Sequence, residues 1–394
     1  MSASNRPAAQ RSEVPRTGHL ASGPRDSLAD VPGVTVGHCT LAEGAVQTGV
    51  TVIRPHAGSL FLDKVPAAAT VLNGFGKSTG LVQVAELGVL ETPIALTNTF
   101  GVGTVANAQI RQAVAEHPEI GRHWPTVNPL VFECNDGYLN DIQAMAVQEK
   151  HYLHAWHDAS EQFAQGSVGA GRGMSSFSFK GGIGSASRVV DARAPVGAEA
   201  GAGSSDAQPA VTGRWTVGAL VLSNFGRLPN LTVAGRPIGR AWLASREAAA
   251  SHRTAEPVPA QTDDALGPEK GSIIIILATD APLDARQLKR LSLRAGAGLA
   301  RTGSVFGHGS GDIALAFSTA YTIPQHAHVA MPAQAMLHES LSDPLFEAAA
   351  EATEQAIVNA LWHAETVTGR DDHTRLSLPD AIAPWRDWLA RTAL

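Results

Sequence analysis

The 394-residue chain is expected to be an α/β protein with sheets and helices stacked in layers, on three observations. The first is the run Ser272-Ile273-Ile274-Ile275-Ile276-Leu277-Ala278, which has no polar face and so reads as a strand covered on both sides. The second is the helical spacing behind it: Leu288, Leu291, Ala295 and Leu299 follow a capping Asp284, and Gly303 is a natural stop. The third is grouping. Short β-like runs and helical stretches cluster in a way that suits stacked layers better than a Rossmann-type alternation.

In chain order, Val34 to Cys39, Val50 to Arg54, Ile94 to Thr97 and Leu130 to Glu133 read as strands, and Val102 to Glu116 reads as a helix. Trp215 to Leu222 alternates and then turns continuously apolar, which suits a central strand. Ile313 to Phe317 is another. Ser342 or Asp343 caps a last helix with Pro344 in its first turn; Phe346, Ala350, Ile357 and Leu361 lie along one side, and Gly369 is expected to end it.

Between these elements, residues 1–25 are polar and read as a disordered tail, with no apolar core for a signal peptide. Residues 192–212 are poor in bulky apolar side chains and read as a flexible insertion. Residues 248–270, with Pro257, Pro259 and Pro268 among charges and small residues, read as a second flexible segment. The formal charge of -6 is small, and the basic residues are scattered. That argues against a nucleic-acid or anionic-membrane surface, and no apolar run is long enough to span a bilayer. Cys39 and Cys134 allow at most one disulfide and fit a reducing compartment, so a cytoplasmic location is expected.

The functional signal is the junction Gly271-Ser272, where a polar tether meets the isoleucine strand. A serine fixed at a strand mouth, preceded by glycine and a disposable segment, is placed as a self-cleaving nucleophile would be. The dipeptide alone is common: Gly-Ser recurs at 58, 166, 184, 203, 303 and 309. An ordinary loop-to-strand boundary explains the local pattern as well.

Other candidates are weaker. Gly169-Ala170-Gly171-Arg172-Gly173-Met174 lacks the third glycine of a dinucleotide fingerprint, and Gly74-Phe75-Gly76-Lys77-Ser78 has Val71 where a phosphate loop needs glycine. His151, His154 and His157 are three apart, whereas zinc pairs on a helix sit four apart, so no metal is expected. Gly76-Lys77-Ser78-Thr79-Gly80 matches the Gly-x-Ser-x-Gly elbow, but three fixed positions mean little in a chain with 39 glycines.

Taken together, several segments resemble the DmpA-type family of L-aminopeptidase/D-esterases and β-aminopeptidases. They are Asp30-Val31-Pro32-Gly33-Val34-Thr35-Val36-Gly37-His38, Asn135-Asp136-Gly137-Tyr138-Leu139-Asn140-Asp141, Gly169-Ala170-Gly171, Lys180-Gly181-Gly182-Ile183-Gly184 and Ser223-Asn224-Phe225-Gly226. Gly271-Ser272-Ile273, Ala278-Thr279-Asp280-Ala281-Pro282-Leu283, Gln287-Leu288-Lys289-Arg290-Leu291, Arg301-Thr302-Gly303 and Ser310-Gly311-Asp312 complete the set, which spans Asp30 to about Glu365.

The resemblance implies a four-layer α/β/β/α fold like that of amino-terminal-nucleophile hydrolases, and a homo-oligomer, expected to be a tetramer. It implies autocleavage between Gly271 and Ser272 into an α-chain part (26–271 behind the tail) and a β-chain part (272–394) of one catalytic domain. Ser272 would be the nucleophile, Ser310 and Asp312 its hydroxyl and acidic partners, Asn224 and Tyr138 the oxyanion donors, and Glu133 the group near the substrate amine. Some members carry glutamate where this chain has Asp312. The activity implied is removal of an amino-terminal residue, β-amino acids and D-residues included, from peptides, amides or esters, with no cofactor. An endo-amidase of the nylon-oligomer hydrolase type, which cuts between asparagine and threonine, and a non-catalytic binding protein on the same fold are the alternatives.

Overall fold

The computed structural model describes residues 14–192, 213–251, 270–382 and 387–388. Helices α1 (Leu81–Leu87), α2 (Val102–Glu116), α3 (Glu149–His157), α4 (Ile238–Ser251), α5 (Ala285–Arg301) and α6 (Asp343–Trp362) accompany strands that form two main sheets. The smaller contains β1 (Thr35–Glu43), β2 (Val46–Arg54), β4 (Ile94–Asn98) and β5 (Leu130–Cys134), in the order β1-β2-β4-β5. The larger contains β3 (Asp63–Gly74), β6 (Gly182–Ala192), β7 (Gly213–Asn224), β8 (Lys270–Thr279) and β9 (Gly309–Ser318), in the order β3-β9-β8-β7-β6. Its β3 edge is extended by the short pairings of Val89–Leu90 and Ile323–Pro324.

Side-chain alternation shows how the layers stack. Along β8, Ile274, Ile276 and Ala278 enter one core with Leu130, Phe132 and Cys134 of the smaller sheet. Ile273, Ile275 and Leu277 enter another with Leu288, Leu291, Ala295 and Leu299 of α5 (Ala285–Arg301) and Ala352, Ala356 and Ala360 of α6 (Asp343–Trp362). A third core joins Val50, Val52 and Val131 to Val105 and Ala108 of α2 (Val102–Glu116) and to Tyr152 and Ala155 of α3 (Glu149–His157). The architecture is therefore α/β/β/α, as expected. β8 lies between β7 and β9 with both faces covered, which explains its unbroken apolar run. Five side chains, Ile273 to Leu277, are 0–1% exposed. At about 2 kcal/mol each, their burial supplies on the order of 10 kcal/mol holding the strand in place.

Most expected elements are present with small extensions. Asp284 caps α5 through a capping box with Gln287. Several expectations differ. α6 ends at Trp362 rather than near Gly369, which sits in a turn of the hairpin formed by Val367–Thr368 and Thr374–Arg375. A side chain at 369 would begin 1.9 Å from the Leu139 carbonyl oxygen, so close backbone approach accounts for that glycine. Residues 14–25, assigned to a disordered tail, are held in place instead: the stretch up to Leu20 lies along α6, and Ala21 and Gly23 bond to Val189 and Ser187 of β6. Thr17 N–H donates to Gln355 at 2.7 Å, and the N–H groups of His19 and Leu20 donate to Glu351 at 3.0 Å. Those acceptors on α6 replace the water that a free tail would keep. The rest of the expected tail (1–13) and most of the two expected flexible segments (193–212 and 252–269) lie outside the described residues, while their described margins are regular: 248–251 close the helix Ile238–Ser251, and Ala192 and Lys270 belong to β6 and β8. Among the described residues no helix is long and apolar enough to cross a membrane.

Candidate active site

Strand register assembles the first groups. Ser272 pairs with Asn224 of β7 on one side and with Gly311 of β9 on the other, and Gly271 pairs with Ser310. Neighbouring strands lie about 5 Å apart, so groups distant in sequence become immediate neighbours. Ser272 is buried, and its Oγ accepts a hydrogen bond from the Gly311 N–H at 3.1 Å. Gly271 has φ +112°, a region L-residues avoid, and a side chain there would begin 2.1 Å from the Asn224 carbonyl oxygen. Glycine is thus required immediately before the serine by both conformation and space.

Asn224 is held at both ends of its amide. Its Oδ1 accepts from the Ser175 N–H at 2.8 Å, and its Nδ2 donates to the Asn135 carbonyl at 2.9 Å. An amide nitrogen carries two hydrogens, and the Asn135 bond uses one. Across the strand pair, the Ser310 hydroxyl donates to Asp312 Oδ1, and both residues are fully buried. The β3–β9 register shifts between Asp312 and Ile313, leaving Leu72 of β3 as the extra residue. Bulges of this kind locally bend a strand and re-aim side chains beside active sites.

The smaller sheet contributes Glu133, at the end of β5. Its carboxylate is buried and accepts from the Lys77 N–H at 2.8 Å and from the Thr99 hydroxyl. Two glycines lie between this carboxylate and the serine. A side chain on Gly311 would begin 3.0 Å from Ser272 Oγ and 3.0 Å from Gly76 Cα, and one on Gly76 would face Glu133 Oε1 at 3.6 Å. Burial pushes the neighbouring Cys134 thiol well up, and the charges of Glu133 and Asp312 add to that shift. Both carboxylates therefore act on one small region between the sheets.

Tyr138 comes from the loop after β5, three residues beyond Asn135. Its ring stacks on His373 at 4.6 Å between centroids, and the Arg375 guanidinium carbon lies 3.6 Å from its centroid. The structure thus gathers Ser272, Asn224, Ser310 and Asp312 on one sheet, brings Glu133 to them across Gly76 and Gly311, and sets Tyr138 in the loop that anchors Asn224.

The weaker candidates take other roles. Ser78 lies between β3 and the short helix Leu81–Leu87, with its Oγ buried and without a hydrogen-bond partner among the described residues. The Lys77 N–H of the would-be phosphate loop is already taken by a carboxylate, which opposes an anion there. His151, His154 and His157 lie on α3, and the only metal-compatible cluster among the described residues is His19 with Glu347 and Glu351. Gly169, Ala170 and Gly171 form a buried turn packed against Val50 and Thr51. Both cysteines are free.

A model of peptidase family S58 matches residues 26–375. The chain belongs to peptidase family S58. The β-peptidyl aminopeptidase BapA of Sphingosinicella microcystinivorans is 38% identical over 373 residues, covering 91% of this chain and 87% of that protein. Among solved structures, a β-aminopeptidase from a Burkholderia species is 38% identical with a TM-score of 0.77. The L-aminopeptidase D-Ala-esterase/amidase of Ochrobactrum anthropi is 32% identical with a TM-score of 0.79, and is described as a prototype of the serine aminopeptidases with a variant of the Ntn hydrolase fold. Each alignment covers 96% of this chain and 98% of the other. As an S58 member the chain is a hydrolase, a serine aminopeptidase.

Several residues that build the candidate site carry no clear signal in the sequence. Gly76 stands out only in the partial phosphate-loop and elbow matches, and Gly311 only as the spacer between Ser310 and Asp312. Thr99, Ser175 and Arg375 carry no motif at all. They act through positions that strand pairing and loop paths create.

Proposed function

We propose that Ser272 is the nucleophile of a self-processing aminopeptidase, first toward its own chain and then toward substrate. The observation that carries this is the combination at 271–272: a glycine that no other residue can replace without strain, followed by a buried serine at the junction of three strands. In maturation, Ser272 Oγ attacks the Gly271 carbonyl carbon, the peptide C–N bond breaks, and the Ser272 nitrogen leaves as the α-amine. Water then hydrolyses the resulting ester and releases the Gly271 carboxylate. A serine hydroxyl needs a base, and the new α-amine, with a reference pKa of about 8, is partly neutral at neutral pH.

In turnover the same Oγ attacks the substrate carbonyl. The second hydrogen of Asn224 Nδ2 and the Tyr138 hydroxyl stabilise the oxyanion, while Ser310 and Asp312 orient the proton. The bond between Ser310 and Asp312 forms within one strand, so the shorter aspartate already reaches its partner. Glu133 holds the substrate ammonium. Its two partners, the Lys77 N–H and the Thr99 hydroxyl, are neutral donors and bring no positive charge to compete with that ammonium. Residues accepted at the amino end include β-amino acids, in line with the named activity of the relatives, and the working form is a homotetramer in the cytoplasm.

The test compares p-nitroanilides of one amino acid with free and acetylated amines. Acetylation should lower kcat/KM by about 100-fold or more in the wild type, and Glu133→Gln should lose most of that discrimination. Equal hydrolysis of both forms would favour an endo-amidase.

A further inference from the structure

The hairpin that follows α6 reaches back to the loop bearing Tyr138 at several points. Arg370 N–H donates to the Leu139 carbonyl at 2.8 Å and its Nε to the Gly137 carbonyl at 2.6 Å; the His373 ring nitrogen Nδ1 meets the Tyr138 carbonyl at 2.8 Å. Arg375, only 5% exposed, lies on the Tyr138 ring and extends Nε toward the Ser175 hydroxyl at 3.4 Å. Ser175 is the residue whose N–H fixes the Asn224 amide. The adjoining Leu376 carbonyl accepts from the Lys180 N–H at 2.8 Å, which docks the hairpin on the Ser175–Lys180 turn.

We propose that Arg375 is a positioning residue for the reaction, fixing the Tyr138 ring in the loop whose Asn135 carbonyl anchors Asn224 and strengthening the Tyr138 O–H as a hydrogen-bond donor. The physical reason is the guanidinium on the ring face. A buried cation over an aromatic ring interacts more strongly than an exposed one, because little water screens it. It draws electron density from the phenol, and the polarised O–H then donates more strongly to an oxygen that gains negative charge in the transition state. An uncharged ground-state carbonyl benefits less, so the effect belongs to kcat rather than KM. Ser175 anchors the guanidinium, so Tyr138 and Asn224 take their positions from one residue. The arrangement also crosses the proposed cut: a residue of the 272–394 part grips one of the 1–271 part.

This inference rests on Tyr138 being an oxyanion donor, and a double-mutant cycle separates the two ideas. Arg375→Gln, Arg375→Lys, Tyr138→Phe and the double variants are purified, the cleaved fraction is quantified by mass, folding is checked by thermal unfolding, and kcat and KM are measured on a free-amine p-nitroanilide. Arg375→Gln should lower kcat roughly tenfold with KM within about twofold, and Arg375→Lys should recover part of the loss. With Tyr138→Phe already in place, Arg375→Gln should cost no more than about another twofold. If Arg375→Gln does not fold, the Arg375→Lys and Tyr138→Phe cycle gives the same test at smaller amplitude. Multiplicative losses, or a loss confined to KM, would overturn the role of Arg375 and leave that of Tyr138 standing. An unaffected kcat in Tyr138→Phe would overturn both.

Discussion

The two sheets contribute groups of different kinds to the site, held by different means. The larger sheet supplies Ser272, Asn224, Ser310 and Asp312 from three adjacent strands, where register sets their spacing and cores on both faces resist any shift. The smaller sheet supplies Glu133 at a strand end and Tyr138 from the loop beyond it, and both depend on loop contacts from Lys77, Thr99, His373 and Arg375. In the proposed mechanism the nucleophile Ser272, its partners Ser310 and Asp312 and the oxyanion donor Asn224 sit on the element that cannot slip. The proposed amine-binding Glu133 and the second oxyanion donor, Tyr138, sit where side-chain anchors can be altered one at a time. Substitutions on the larger sheet should therefore act mainly on chemistry, and those on the smaller sheet and its loops on recognition, tuning and stability.

Ser272→Ala should show the largest effect, a loss of kcat of roughly 10⁴-fold or more on a free-amine p-nitroanilide. Stability should change little, because the removed hydroxyl is a small part of a strand held by isoleucine burial. Asn224→Ala should follow, with kcat down about 10²- to 10³-fold and maturation slowed in parallel if one oxyanion site serves both reactions. Normal maturation with slow turnover would show that the two steps use different donors.

The smallest expected effect lies in the loop, at Asp136. Burial pushes its carboxyl up to about 6, against hydrogen bonds from Thr48, Asn140 and Asn98 that favour the charged form. Its Oδ2 is buried without a hydrogen-bond partner among the described residues. A carboxyl raised in the fold contributes stability that is complete below its unfolded value near 4 and is lost as pH rises through about 6. The change is on the order of 2 to 3 kcal/mol. Asp136→Asn should flatten the wild-type fall in melting temperature across that window, with little change in kcat. An unchanged pH profile of stability would mean that Asp136 is charged in the fold.

The same contrast governs what could be read in advance. β8, α5 and β9 were legible because burial on defined faces imposes a period on the residues, and Ser272 stood out because glycine and serine interrupt that period at its edge. β6 was not legible as a strand: its Gly182, Gly184, Ser185 and Ser187 pack closely against neighbouring backbone and helix α6, leaving little apolar alternation. Loop anchors such as Arg375 and Thr99 were invisible because nothing local marks them. Their meaning lies in contacts with residues hundreds or tens of positions away.

In the proposed maturation the bond between Gly271 and Ser272 is cut by Ser272 itself. Denaturing intact-mass analysis of freshly purified wild type beside Ser272→Ala, with amino-terminal sequencing of any smaller fragment, tests it directly. Wild type should give two chains ending at Gly271 and beginning Ser272-Ile273-Ile274, whereas the variant should remain one chain. Active wild type that is uncut, or a Ser272→Ala protein cut at the same bond, would mean that Ser272 does not make the cut.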